Sequence, residues 1–297
     1  MLLNNRPPFK YVLSKLTPEI YYVCLTSAAI YAISIAFKHA IPPVPITIPT
    51  FLGTAISIIL SFKLNQSYDR WWEARKIWGS IVNDSRNLVI QLQSFVTGGN
   101  KEIIRAITYR QIAWCYALGR SLRGLDALDR LDRLVDTNEL ENYKAHVNKP
   151  LALLQQNAAD ITELRTASHL DPFSHVQINN TQVSLTNSMG MAERIKSTVF
   201  PSTYRLFLHM IIYVFTIILT IALRDIEFYI AVPTSLIIAC FFFLLERTAT
   251  HLQDPFSNRP TDTAMTAIAT TIEINLKQLI GEANVPEPCK PNDFYLN

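Results

Sequence analysis

The chain has 297 residues, 49% hydrophobic and 17% charged, with 27 Lys and Arg against 24 Asp and Glu and a mean hydropathy of +0.16. A soluble chain of this size carries about 25% charged residues, so the deficit argues against an ordinary soluble protein and for a membrane. The four cysteines (Cys24, Cys115, Cys240, Cys289) are scattered, with no CxxC or Cys/His spacing that would hold zinc and nothing that requires a disulfide.

In chain order, residues 1–19 read as a cytosolic N-terminal segment carrying Arg6, Lys10 and Lys15, with no small-residue cleavage site after the first apolar run. Uncharged runs follow at 20–37, 40–62, 206–223 and 228–245. Even the shortest reaches about 27 Å at ~1.5 Å per residue, close to the thickness of a bilayer core. Basic residues flank one side of these runs: Lys63, Arg70, Arg75 and Lys76 after the second, Arg194, Lys196 and Arg205 before the third, Arg247 and Arg259 after the fourth. The loops on the other side are short and nearly neutral, so the positive-inside rule places both termini and the middle section in the cytoplasm. The expected divisions are 1–19, membrane helices in 20–62, a cytosolic helical domain over 63–205, membrane helices in 206–245, and a cytosolic C-terminal segment over 246–297.

The second run carries the most information. From Thr54 to Arg75 the sequence TAISIILSFKLNQSYDRWWEAR passes from apolar to charged, with no Gly or Pro between Gly53 and Gly79. One helix is therefore predicted to leave the bilayer and continue into water. Thr54, Ile58 and Phe62 fall at i, i+4 and i+8 on one stripe. By spacing alone such a stripe more often faces lipid or a neighbouring helix than a pore. Ser57, Ser61, Asn65 and Gln66 around it raise the pore reading, because a helix bearing these groups is poorly suited to lipid on all sides. Four spans enclose no generous channel, so a pore requires several subunits.

The middle section reads as helical. Ile103, Ile104, Ile107, Ile112, Ala113 and Leu118 recur at mainly helical spacing, and Leu125, Leu128, Leu131 and Leu134 continue at three-residue steps. Breaks are expected at Gly98-Gly99-Asn100, at Lys149-Pro150 and at Leu170–Phe173, and a helix cap around Asp136-Thr137-Asn138. The charges here, Arg105, Arg110, Arg120, Arg123, Asp126, Asp129, Arg130, Asp132 and Arg133, are of mixed sign. They read as a solvated face rather than a nucleic-acid or lipid patch. The six histidines form no HExxH, and no Walker A, GxGxxG or GxSxG signature is present. His209 is the only acidic or basic side chain within an apolar run and reads as a hydrogen-bonded interior group. The absence of carboxylates from all four runs argues against a proton-coupled carrier. An enzyme is not expected; a passive pore needs only an apolar constriction and a polar vestibule.

Leu60-Ser61-Phe62 followed by Tyr68-Asp69-Arg70-Trp71-Trp72-Glu73-Ala74-Arg75 resembles the neck helix and following helix of bestrophins, most closely the bacterial branch. The likeness extends to the 2 + 2 spans around a helical insert, to Pro201, and to Asp254-Pro255-Phe256. It implies an all-α fold: four transmembrane helices around a cytosolic helical domain, assembled as a homopentameric channel with a central pore in the inner (plasma) membrane. The neck positions fall on Thr54, Ile58 and Phe62, and a cytosolic aperture on Phe173. The family default is passive conduction of chloride and other small anions. The alternatives are a monovalent-cation (sodium) channel, as in some bacterial members, or a carrier for a small organic anion. Lys63 and Asp69 are the candidate vestibule charges, and helix rotation decides which one faces the lumen. Animal members hold calcium in an acidic run after Asn-Pro-Phe. Here only Asp254 and Asp262 are acidic, and Arg259 stands where a ligand is expected, so no cofactor and no calcium gating are expected.

Overall fold

The computed structural model describes residues 8–198, 201–291 and 295–296, which form helices and turns and no strand. Of the residues behind the orientation argument, Arg6 lies outside the described ones, as does the side chain of Lys15. The chain divides into two compact units, one built from Asn5–Arg70 and Val199–Gln253, the other from Trp71–Thr198 and Asp254–Asn297.

The first unit holds α1 (Phe9–Ala36), the first half of α2 (Thr47–Phe95), α7 (Ser202–Ala222) and α8 (Phe228–Leu252). These four helices are long and apolar enough to cross a membrane, so the protein is a multi-pass membrane protein. Helices α1, α7 and α8 pack on one another. Their core takes Leu16 and Val23 from α1, Leu208, Ile212 and Phe215 from α7, Phe242 and Phe243 from α8, and Ile56 and Leu60 from α2. The close approach of α2 to α7 depends on Gly53, where a Cβ would lie 3.1 Å from the Phe215 ring. The short connections are joined by Tyr31 Oη donating to the Ile226 carbonyl and Arg224 Nη1 to the Ile41 carbonyl, at 2.8 and 2.6 Å. An exposed Lys38–Asp225 pair adds little, since water screens it.

The second unit contains the rest of α2 with α3 (Lys101–Leu122), α4 (Thr137–Lys144), α5 (Lys149–Thr166), α6 (Pro172–Ser197) and α9 (Met265–Leu279). Trp78, Ile81, Leu88, Ile107, Trp114, Leu153, Ile178, Phe256 and Ile272 fill its core. The helix starts follow local chemistry. Asp136 caps α4, Asn148 caps α5 ahead of Pro150, and Asp171 caps α6 ahead of Pro172. The turn after α2 uses Gly98 at φ +79°, where a Cβ would meet the His169 ring at 2.8 Å.

Two local expectations are corrected. Residues 123–136 form successive turns rather than a helix. Leu128, Leu131 and Leu134 are buried, but they sit on three-residue turns closed by Leu131 N to Leu128 O and Leu134 N to Leu131 O, and Arg130 takes φ +63°. On an α-helix that spacing would walk the leucines about 60° around the axis per step, whereas a turn repeat keeps them on one side. Nor is Arg110 solvated. It is buried and bonded to Glu139, to Asp160 at 2.7 Å and to Asn157 at 3.0 Å.

Buried Glu273 on α9 is the other polar centre of this unit. Arg133 reaches both its oxygens at 2.6 and 2.9 Å, Lys277 adds an ion pair at 2.9 Å, and Tyr116 Oη donates at 2.8 Å. Burial alone would push this carboxyl up, but these donors outweigh it and hold it at about 2.

Candidate functional site: the exposed face of α2

Successive α-helical residues turn by about 100°, and α2 sorts its side chains accordingly. Ile56, Leu60, Lys63 and Ser67 are buried. Phe51, Thr54, Ser57, Ile58, Ser61, Phe62, Asn65, Gln66 and Asp69 are exposed. Ile58 is 54% exposed and Phe62 64%, values that leave both side chains uncovered by their own chain. Thr54, Ile58 and Phe62 thus share one open face, with hydroxyls and amides beside them. The Thr54 hydroxyl donates to the Thr50 carbonyl at 2.9 Å and that of Ser57 to the Gly53 carbonyl at 2.9 Å. Backbone acceptors therefore take both protons within the span, where an unbonded hydroxyl would be costly.

The two candidate charges separate. Asp69, seven residues after Phe62, lies on its face and is exposed. Lys63, the other candidate, is turned away from that face and presents no free charge there. Its side chain is 1% exposed and turned toward α8, with Nζ 2.8 Å from Glu246 Oε1 and 3.0 Å from Thr250 Oγ1. Glu246, also 1% exposed, accepts from Thr250 at 2.8 Å and meets His209 Nε2 at 3.0 Å. Arg205 stands 3.9 Å from the same carboxylate, and one residue on, Arg247 pairs with Glu19 at 2.7 Å. His209 is indeed hydrogen-bonded, with its ring also edge-on to Phe243 at 5.4 Å. Sequence reading missed this cluster because Glu246 falls just past the fourth uncharged run. The available signal was a Lys and a Glu each ending an apolar run, one at each of two spans.

In the other unit, Phe173 stands at the start of α6, where Asp171 accepts from the Phe173 and Ser174 amides at 3.0 and 3.1 Å. Its ring is 89% exposed and Val176, one turn on, 56%, so packing within the chain does not account for Phe173.

The segment after α8 does not fit a calcium ion. Lys196 Nζ lies 3.3 and 3.2 Å from the two Asp254 oxygens, and Ser257 donates to the same carboxylate. Burial pushes the Asp254 carboxyl up, but Ser257 and Lys196 overcome that and hold it down. Asp262 is turned inward and accepts the Arg259 amide at 3.0 Å, and burial raises its carboxyl above the usual range. Among the described residues no cluster of three or more His, Cys, Asp or Glu could hold a metal.

Residues 10–278 match the family described as bacterial/fungal bestrophin protein. The chain belongs to the bestrophin family. Its similarity to individual relatives runs almost end to end. A voltage-dependent anion channel-forming protein of Mesorhizobium japonicum is 28% identical over 305 residues, covering 100% of this chain and 97% of the relative. The voltage-dependent anion channel-forming protein YneE of Escherichia coli K12 is 29% identical over 286 residues, covering 96% and 93%. The crystal structure of a bacterial bestrophin homologue from Klebsiella pneumoniae superposes with a TM-score of 0.84 at 27% identity, covering 91% of this chain and all of that one. The Mesorhizobium and Escherichia relatives are both named as anion channel formers.

Proposed function

We propose that this chain is one subunit of a homopentameric channel that passes small monovalent anions, chloride foremost, passively across the cell's inner membrane, with both termini cytoplasmic. The observation that carries the proposal is the open face of α2. A spanning helix buries one side in its own unit and leaves Thr54, Ile58 and Phe62 uncovered beside polar groups, as a helix lining a shared pore must. Ile58 and Phe62 form the dehydrating neck, and Phe173 rings a cytosolic aperture. Calcium does not gate it at the segment after α8, where Lys196 already pairs with Asp254. Selectivity for anions draws on what the relatives are named for. One observation favours the cation reading instead: with Lys63 neutralised, Asp69 is the candidate charge left on the open face, and a ring of carboxylates favours cations. Purified protein in a planar bilayer under a potassium chloride gradient decides the matter. Unitary currents reversing near the chloride potential are expected. Reversal near the potassium potential makes it a cation channel, and a flux without unitary steps makes it a carrier.

A further inference from the structure

The Lys63–Glu246 cluster is not itself on the open face, yet it is next to it. Lys63 follows Phe62 directly and lies about 140° around α2 from Ile58. Its ammonium, 1% exposed, sits within a unit made of membrane helices, where an unpaired charge is strongly disfavoured. The carboxylate it meets is fully engaged: Oε1 takes Lys63 and Thr250, and Oε2 takes His209. The anchor therefore involves three helices, with Lys63 on α2, His209 on α7, and Glu246 and Thr250 on α8. Greasy contacts such as those of Ile56 and Leu60 are nondirectional and would tolerate a modest roll of α2. A hydrogen-bonded ion pair at 2.8 Å would not.

We infer that the Lys63–Glu246 pair is a rotational lock. It fixes the roll of α2, and so decides which side chains of that helix face outward as the neck. Lys63 and Glu246 are positioning residues and need not touch a permeating ion. The inference deepens the channel reading and rests on it only for the step from helix roll to conduction.

The test reads the roll directly. In a background with Cys24, Cys240 and Cys289 replaced by serine, Phe62→Cys and Ser67→Cys report the exposed and the buried side of α2 to a water-soluble methanethiosulfonate. In the locked protein, Phe62→Cys should react at least tenfold faster than Ser67→Cys. Adding Lys63→Met with Glu246→Gln removes both charges together and leaves neither unpaired. It should shrink that ratio at least threefold. An unchanged ratio in the uncharged variant overturns the lock and leaves the pair as packing. If that variant does not assemble, Glu246→Asp shortens the anchor; a twofold shift in the ratio supports the lock and no shift overturns it. Unitary conductance of the same proteins separates the two claims. A shifted ratio with unaltered conductance keeps the lock and removes this face of α2 from the ion path. Conductance changing with the ratio supports both.

Discussion

At Ile58 and Phe62, apolar groups stand uncovered on a membrane helix, and in the proposed channel ions passing them lose hydration without compensation. Ile58→Ala and Phe62→Ala should each raise unitary conductance or open probability at least twofold, whereas alanine at buried Ile56 should leave unitary conductance unchanged. Single-channel recording with neither neck variant altered removes them from the ion path. Phe173 differs in kind: it is an exposed ring held at a capped helix start, and in the proposed channel it selects by size. Phe173→Ala should change permeability ratios among anions of different radius more than it changes opening, and ratios equal to those of the parent would reassign the aperture, with Val176 the next candidate. The stripe of Thr54, Ile58 and Phe62 was legible because helical periodicity is local. The fate of Lys63 was not. Its partner is 183 residues away, and no local pattern distinguishes a lysine that snorkels to water from one that turns inward.

Elements were legible where local chemistry dominates and misread where it does not. The four spans, the α5 and α6 starts at their Pro-containing caps and the Gly98 turn all follow from composition and backbone preference. The leucines between α3 and α4 kept a regular spacing, but at three residues, which suits turns as well as a helix. The last helix, α9, packs on α3, and its Glu273 meets Tyr116 of α3 across 157 residues of chain and Arg133 across 140. That carboxyl, ordinarily near 4.5, is held at about 2. With its folded pKa depressed, its stabilisation is fully present above the unfolded value and is lost as pH falls from about 4.5 toward 2. The shift corresponds to about 3 kcal/mol for a fully buried group. Glu273→Gln should lower the thermal midpoint in detergent at about pH 7 and flatten its fall between about pH 4.5 and 2. If the variant and the parent show the same acid limb, other carboxylates govern acid stability.

For the whole molecule, the proposed pore requires that the uncovered face of α2 meet copies of itself. Native mass spectrometry in mild detergent should give a closed ring of five, and a monodisperse monomer would sink the channel reading. Asn65, Gln66, Ser57 and Ser61 lie exposed along the same helix. A newly made subunit alone in a bilayer would turn the Ser57 and Ser61 part of this seam toward acyl chains and leave the amides unpartnered at the membrane edge. It is therefore an orphan with a recognisable defect, the kind of surface that membrane proteases survey. Surplus copies should be short-lived, and cellular abundance should track completed rings rather than synthesis.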